Sequence, residues 1–380
     1  MEESNVVPIR SRAGGIYRIR ARVLPYLTGF VYLVPASDGW VAIDSGCGTK
    51  ESDDDLERGF ETIRREYEPT FSVERVRRVV LTHAHIDHFG GAHNLNERVG
   101  AEVWVHAFES RLVDSYDVCS RVENLRYERF LLEAGVEREK ITPTLDGFGF
   151  RPGRAQHTRV ARKLYGDEEF DGFKVFYLPG HSPGHIALLF GDVIFTGDVV
   201  LSNTSSQIWP TRSTPQTGLI NYVNSLRKLS ELARGYEAAT GEKLTSLPAH
   251  EEIVRDVPSA VERSLKLTEK RNRRVLRTLS NSSEPLTLYE LTRKIYWSAR
   301  PNRDFFALSD VGARVELLLQ LGLLEIVNSE TLTLERPELR YRALLSDAEL
   351  TENTIEQIVR TNGAGNAPYA IERDANFGSE

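Results

Sequence analysis

Residues 79–91 read VVLTHAHIDHFGG. The apolar run Val79–Leu81 predicts a short buried strand, and His83, His85, Asp87 and His88 follow it at once. Imidazole and carboxylate at this density suit a borderline divalent ion such as zinc. A loop leaving a strand can turn alternate side chains to one side and the intervening ones to the other. Four donors this close cannot all serve one tetrahedral ion that keeps an open position, so the spacing predicts two ions.

Further donors follow other strand-like runs. His181 and His185, in Gly180-His-Ser-Pro-Gly-His185, come after Phe173–Leu178; Asp198 closes Phe195-Thr-Gly-Asp198; and His250 follows Leu244–Leu247. Taken singly, a His or Asp after a strand is an ordinary structural residue. Together with the first cluster they predict donors converging on one edge of a β-sandwich. Ser182 lacks a separate base and reads as a turn residue, so no serine nucleophile is expected.

In this order, Asp44 in Ile-Asp-Ser-Gly, the His83 cluster, His181, Asp198 and His250 resemble the motifs of the metallo-β-lactamase superfamily, which includes glyoxalase II. The resemblance covers about residues 15–255 and implies an α+β fold, an αβ/βα sandwich with the site at one edge of two sheets. It implies one metal on His83, His85 and His181, a second on Asp87, His88 and His250, and Asp198 bridging them. Asp44 would orient the ligand loop from behind, with His185 as a further supporting or substrate-contacting side chain. One departure is Pro-Ala-His250-Glu251, where the family often has Gly-His-Gly, so the backbone there is less free to approach substrate.

The implied chemistry is hydrolysis by a hydroxide bridging two divalent ions, zinc first, with iron or manganese as alternatives. Asp87 and Asp198 are the candidate catalytic carboxylates, able to relay a proton while holding the ions. A thioester or other ester-like acyl bond is the first expectation for this small-molecule substrate. A lactone, a phosphodiester as in an endoribonuclease, and sulfur oxidation at a single iron are the alternatives. The seven-residue ligand set argues against the last.

The 380 residues exceed one ordinary core and predict two domains. Residues 1–262 would form the catalytic domain, with 107–170 as a lid or insertion; 263–345 would form a small winged-helix-like domain, and 346–380 a polar, partly disordered tail carrying one helix near 347–360. Within the first domain, strands are expected over Ile16–Val34 (broken near Pro25), Trp40–Ile43, Ala101–Val105, Ile186–Phe190 and Val193–Thr196. Ser52 is expected to cap a helix running to Tyr67, a further helix spans Arg121–Gly135, and 142–170 reads as loop. Phe108, Tyr116, Phe130 and Tyr165 are candidates either for an acyl pocket or for a local core. His106 ends a strand on the expected site side, whereas His93 and His157 read as structural or solvated. In the second domain, Thr287-Leu-Tyr-Glu290 is a capping box. Ser309 would open a helix, and Leu323–Val327 would pair with Thr331–Leu334 in a hairpin.

A net charge of −7 gives no general attraction to nucleic acid or anionic membrane. Residues 263–277 are the exception, with seven Lys/Arg against one Glu, which leaves RNA as a less favoured partner. The expected groove-reading helix, Ser309–Leu321, carries only Arg314, so sequence-specific DNA binding is not expected. No apolar run approaches the ~18 residues of a membrane span, and the first twelve residues lack a signal-peptide core. A cytoplasmic protein with no membrane partner is therefore expected. Cys47 and Cys119 make no disulfide framework. A homo-oligomer is compatible with this composition.

Overall fold

The computed structural model describes residues 4–24, 27–148, 153–296, 301–333, 335 and 337–345. Pro25 and the expected tail at 346–380, with its helix, lie outside the described residues.

The first sheet has seven strands in sequence order: β1 (Val6–Ser11), β2 (Gly14–Leu24), β3 (Leu27–Ala36), β4 (Gly39–Ile43), β5 (Val76–Val80), β6 (Glu102–His106) and β7 (Val160–Leu164). β1 to β4 are antiparallel, and β4 to β7 run parallel. The parallel strands need crossovers, which are α1 (Lys50–Thr62), α2 (Ile86–Phe89) with α3 (Ala92–Val99), and α4 (Ser110–Asp114), α5 (Tyr116–Glu133) and α6 (Arg138–Phe148). The second sheet, in order β12-β11-β10-β9-β8, comprises β8 (Glu169–Phe170), β9 (Phe173–Tyr177), β10 (Ile186–Phe190), β11 (Val193–Gly197) and β12 (Thr245–Pro248), with α7 (Leu219–Thr240) joining the last two.

The sheets stack face to face, because both faces of their central strands are apolar. Along β3, Tyr32 and Val34 enter the core between the sheets with Phe173, Leu188 and Phe195, while Val31 and Leu33 face α1 through Leu56, Phe60 and Ile63. Along β10, Ile186 and Leu188 point inward and Ala187 packs outward. This doubled burial explains why these strands read as nearly unbroken apolar runs.

The C-terminal part contains α8 (Val257–Ser280), β13 (Leu286–Thr287), α9 (Leu288–Ile295), α10 (Pro301–Gln320), β14 (Leu324–Ile326) and β15 (Arg340–Ala343). Its three strands form a sheet in the order β13-β15-β14. Its apolar side chains are continuous with those of α5 and α7: Phe130, Leu131, Leu226, Leu276, Leu291, Val311 and Leu318 share one cluster.

Several expected boundaries are corrected. Thr49 caps α1, accepting from the Ser52 amide, because the buried Ser52 hydroxyl instead accepts the Cys47 amide at 3.2 Å. The helix does not continue regularly to Tyr67: a π-helical turn covers Ile63–Tyr67. α5 starts earlier than expected, at Tyr116, and the stretch 142–170 is not all loop, since it contains the end of α6 as well as β7 and β8. β7 escaped notice because three of its five residues are exposed, and the Arg162 guanidinium lies over the Trp104 ring at 4.7 Å rather than marking a solvated loop. β1 was missed as well; it carries Pro8, which an edge strand tolerates. Ser309 is interior to α10, and β14 pairs with β15; of the strand expected at Thr331–Leu334, Thr331 ends a 3-10 turn and Leu334 lies outside the described residues. The Thr287–Glu290 capping box is present as expected.

Candidate metal centre

The donors leave the carboxyl ends of strands from both sheets, where ligands of α/β folds characteristically sit. Asp44 follows β4, His83 follows β5 by way of Leu81 and Thr82, His181 follows β9, Asp198 follows β11, and His250 follows β12. The fold therefore brings His83, His85, Asp87, His88, His181, Asp198 and His250 together, and three overlapping sets of them could hold an ion: His83/His85/His181, His83/His88/Asp198 and Asp87/His88/His250. Gly90 is needed beside them. A Cβ there would stand 2.3 Å from the Cys47 carbonyl oxygen, so only glycine lets the 44–48 loop close on α2.

Around the first set, His83 Nε2 lies 3.0 Å from His85 Nδ1 and 3.2 Å from His181 Nε2, and the latter two atoms are 2.9 Å apart. The His181 Nδ1 faces the Gln207 carbonyl oxygen at 2.8 Å, so it carries the hydrogen and Nε2 presents a lone pair. The Thr82 hydroxyl donates to Asp44 and accepts from His83 Nδ1 at 3.1 Å, which leaves a second lone pair on His83 Nε2. Two lone pairs turned toward each other repel unless a cation lies between them. Tetrahedral metal–nitrogen bonds of ~2.0–2.1 Å place ligand atoms roughly 3.3 Å apart, close to this spacing.

The second set is oriented in the same way. His88 Nδ1 donates to Asp44 Oδ2 at 2.9 Å, and His250 Nδ1 donates to the Thr28 carbonyl oxygen at 2.7 Å. Their Nε2 atoms and Asp198 Oδ1 are buried without a well-formed hydrogen bond among the described residues. Asp87 Oδ2 is 3.3 Å from His250 Nε2 and 3.7 Å from His88 Nε2. Asp198 faces both sets: Oδ1 lies 3.6 Å from His250 and 3.8 Å from His88, and Oδ2 lies 3.5 Å from His181.

Charge follows the same division. Burial and neighbouring imidazoles hold His83 well below its ordinary value, and burial takes His85 to about 3. Burial opposes protonation of His88 and His250 too, but carboxylates outweigh it, with Asp87 foremost at His88 and Asp198 at His250. They raise His88 to about 9 and His250 to about 10. Against the cost of burial, the same imidazoles lower the Asp87 and Asp198 carboxyls. Neutral imidazoles on one side and two carboxylates on the other form a donor set that fits divalent cations.

Behind the donors, His185 stacks on His83 with ring centroids 4.8 Å apart and accepts the Asp198 amide through Nε2 at 3.0 Å. Gly197 permits this approach, since at φ +48° its added Cβ would come within 2.6 Å of His185 Nε2. Glu109 went unnoticed in the sequence. It is 4% exposed, and its carboxylate takes the Ala84 amide at 2.8 Å, anchoring the His83–His85 turn. A single Glu after a strand gave no signal of this. Burial raises its carboxyl.

A cavity of about 310 Å³ opens over His85, Asp87, His181, Asp198 and His250, and its surface is mainly apolar. Of the four candidate aromatics, only Tyr116 lines it. Phe130 is in the core, and Phe108 and Tyr165 are 58% and 60% exposed beside His106. His106 stacks on Tyr177 outside the cavity. Cys47 is buried with its thiol near the Thr49 hydroxyl and does not line the cavity either. The half-buried His93 contacts the carbonyl of the exposed His157.

Fold and donor set together define a class, that of metal-dependent hydrolases built on a two-sheet sandwich. The chain belongs to the metallo-beta-lactamase superfamily, whose family model matches residues 25–240, and it is a hydrolase of that fold. It is 25% identical to a probable metallo-hydrolase of Bacillus subtilis, YqjP, over 77% of this chain and 89% of that protein. A hydroxyacylglutathione hydrolase of Haemophilus influenzae, GloC, is 29% identical over 32% of this chain and 49% of that protein. Among solved structures, a metallo-beta-lactamase family protein of Thermus thermophilus shares the fold with a TM-score of 0.65 at 22% identity, covering 86% of this chain and 98% of that one. A beta-lactamase domain protein of Burkholderia ambifaria does so with a TM-score of 0.67 at 20% identity, covering 88% and 93%.

Proposed function

We propose that the centre holds two divalent ions, zinc first with iron or manganese as alternatives, and hydrolyses an ester-like acyl bond, a thioester before a lactone. The observation that carries this reading is Asp198, whose two carboxylate oxygens face different donor sets. His83, His85 and His181 would hold one ion and Asp87, His88 and His250 the other, with Asp198 shared. Ions held there supply Lewis acidity for water and for a carbonyl oxygen. Asp44 and His185 fix the tautomers and the Asp198 backbone, and Asp87 and Asp198 are placed to accept and pass on a proton. The partial similarity to a hydroxyacylglutathione hydrolase supports an acyl bond. A donor set of seven speaks against sulfur oxidation at one iron.

A phosphodiester is the second reading, favoured by a groove of about 790 Å³ along α8 and α9 lined by Lys266, Lys270, Arg273, Arg274, Arg277 and Lys294 with a single acid, Glu269. Three helices and a three-stranded sheet support a winged-helix-like unit over 263–345. Arg314, however, is 2% exposed and paired with Asp310 at 2.7 Å, which supports the expectation against groove reading of DNA by α10. Two free cysteines support a reducing, cytoplasmic setting. Among the described residues no helix is long and apolar enough to cross a membrane. The test is a panel of acyl thioesters, lactones and single-stranded RNA offered to the metal-loaded protein. Cleavage of RNA alone, abolished by neutralising Lys270, Arg271, Arg273 and Arg274, reverses the ranking.

A further inference from the structure

The segment expected to form a lid or insertion, 107–170, contributes only Tyr116 and Arg154 to the cavity. Most of the wall comes from elsewhere. Residues 201–209 supply Leu201, Thr204, Ser205, Ser206, Gln207 and Trp209, and α10 supplies Phe306.

This wall is held from behind. The Glu251 carboxylate accepts the amides of Asn203 at 2.6 Å and Thr204 at 3.3 Å, and the hydroxyls of Thr204 at 2.6 Å and Ser202 at 3.2 Å. Glu251 does this from φ +62°, a left-handed conformation that glycine adopts readily and a side chain resists. Three residues after Thr204, the Gln207 carbonyl takes the His181 Nδ1 hydrogen, and its side-chain amide donates to the Phe306 carbonyl at 3.1 Å. The Trp209 ring packs 5.9 Å from that of Phe306. Most polar groups of the wall are thus spent on fastening it; Ser205 and the exposed Arg154 remain as polar lining, and the apolar lining includes Leu24, Leu27, Tyr116, Leu201, Trp209 and Phe306.

We infer that this cavity selects an acyl group with an apolar chain, and that Glu251 is a positioning residue for its wall. The inference rests on the acyl-hydrolase reading and names the substrate class of that site. A carbonyl carbon placed over the Asp198 side of the cavity sends its alkyl chain along the apolar wall. The leaving group departs through the cavity mouth.

Two measurements separate this inference from the reading beneath it. With the metal-loaded full chain, straight-chain acyl thioesters of one thiol, from acetyl to decanoyl, give kcat/KM rising about fourfold per methylene until the cavity is full and falling beyond it. Binding of the matching carboxylates, followed by tryptophan fluorescence or calorimetry, tightens with the same length dependence. Phe306→Trp moves the optimum to a shorter chain and Phe306→Ala to a longer one, with metal content unchanged. Glu251→Gly flattens the length dependence through KM, and Glu251→Gln partly restores it. Hydrolysis that is indifferent to chain length overturns the inference and leaves the hydrolase intact. Length-dependent carboxylate binding without hydrolysis of any thioester or ester supports the pocket and overturns the acyl-hydrolase reading. Carboxylate binding that ignores chain length overturns the pocket.

Discussion

His88 donates through Nδ1 to Asp44 Oδ2 across 2.9 Å, and this single bond turns the other ring nitrogen toward Asp87 and Asp198. Asp44 is itself fixed by the Thr82 amide at 2.7 Å and stands at φ +60°, a conformation aspartate tolerates better than most residues. A carboxylate behind a metal-bound imidazole sets its tautomer and raises its basicity. Asp44→Ala is therefore expected to weaken the ion held by His88 about 10- to 100-fold, read by competition with a chromophoric chelator. Unchanged affinity would show that Asp44 serves only the backbone.

Loading the centre should release protons. In the metal-free protein His88 and His250 are raised to about 9 and about 10, so both are charged at neutral pH, and an ion must displace those protons. Calorimetry in buffers of different ionisation enthalpy should show up to about two protons released, with affinity strengthening as pH rises. The metal-free fold has the opposite dependence. Its two raised imidazoles stabilise it fully below the unfolded value of ~6.5, and that contribution is lost as pH climbs through about 9 to 10. Ion uptake with no proton release contradicts this account.

His106 provides a control outside the donor set. Burial lowers it to about 4, it stacks on Tyr177 with centroids 4.4 Å apart, and its Nδ1 accepts the Phe108 amide at 3.3 Å. Because the folded value is depressed, the folded chain binds fewer protons than the unfolded one between pH ~6.5 and about 4, and stability falls as pH falls through that window. Up to about 3 kcal/mol is at stake. His106→Phe should remove this component from denaturant midpoints measured across the window. Identical pH slopes for the two proteins would show that His106 does not carry it.

Much of this centre was legible because metal chemistry constrains residue types at close spacing. Four donors in six residues identified the first loop, and His181, Asp198 and His250 could be placed because each follows an apolar strand. Glu109 and Glu251 were not legible: each acts through contacts distant in sequence, with Ala84 and with the 202–204 loop. The departure at Glu251 was visible, but its purpose needed the backbone angle and the neighbouring loop. For the same reason the pairing of β14 with β15 was missed. The expected partner was nearer in sequence, yet Arg340–Ala343 provides the register. Exposed edge strands such as β7 lack the apolar pattern on which strand reading depends.

Gly197→Ala tests the packing beneath the centre. The new methyl group would meet His185 Nε2 at 2.6 Å and Thr82 Oγ1 at 2.8 Å, in a backbone conformation with φ +48°. A loss of about 1–3 kcal/mol in denaturant unfolding is expected, together with weaker ion binding as Asp198 shifts. A variant as stable as the parent, with full ion affinity, would show that the neighbouring side chains give way without cost.

The central claim is a two-ion centre joined by Asp198. Its most direct test is the metal content of the purified full-length chain after dialysis against chelator-free buffer, measured by plasma emission spectrometry for the parent and for Asp198→Ala. The account predicts close to two divalent ions per chain in the parent, and in the variant a fall to one or none accompanied by loss of hydrolysis. A parent that saturates with a single ion, or an Asp198→Ala protein that still holds two, contradicts it.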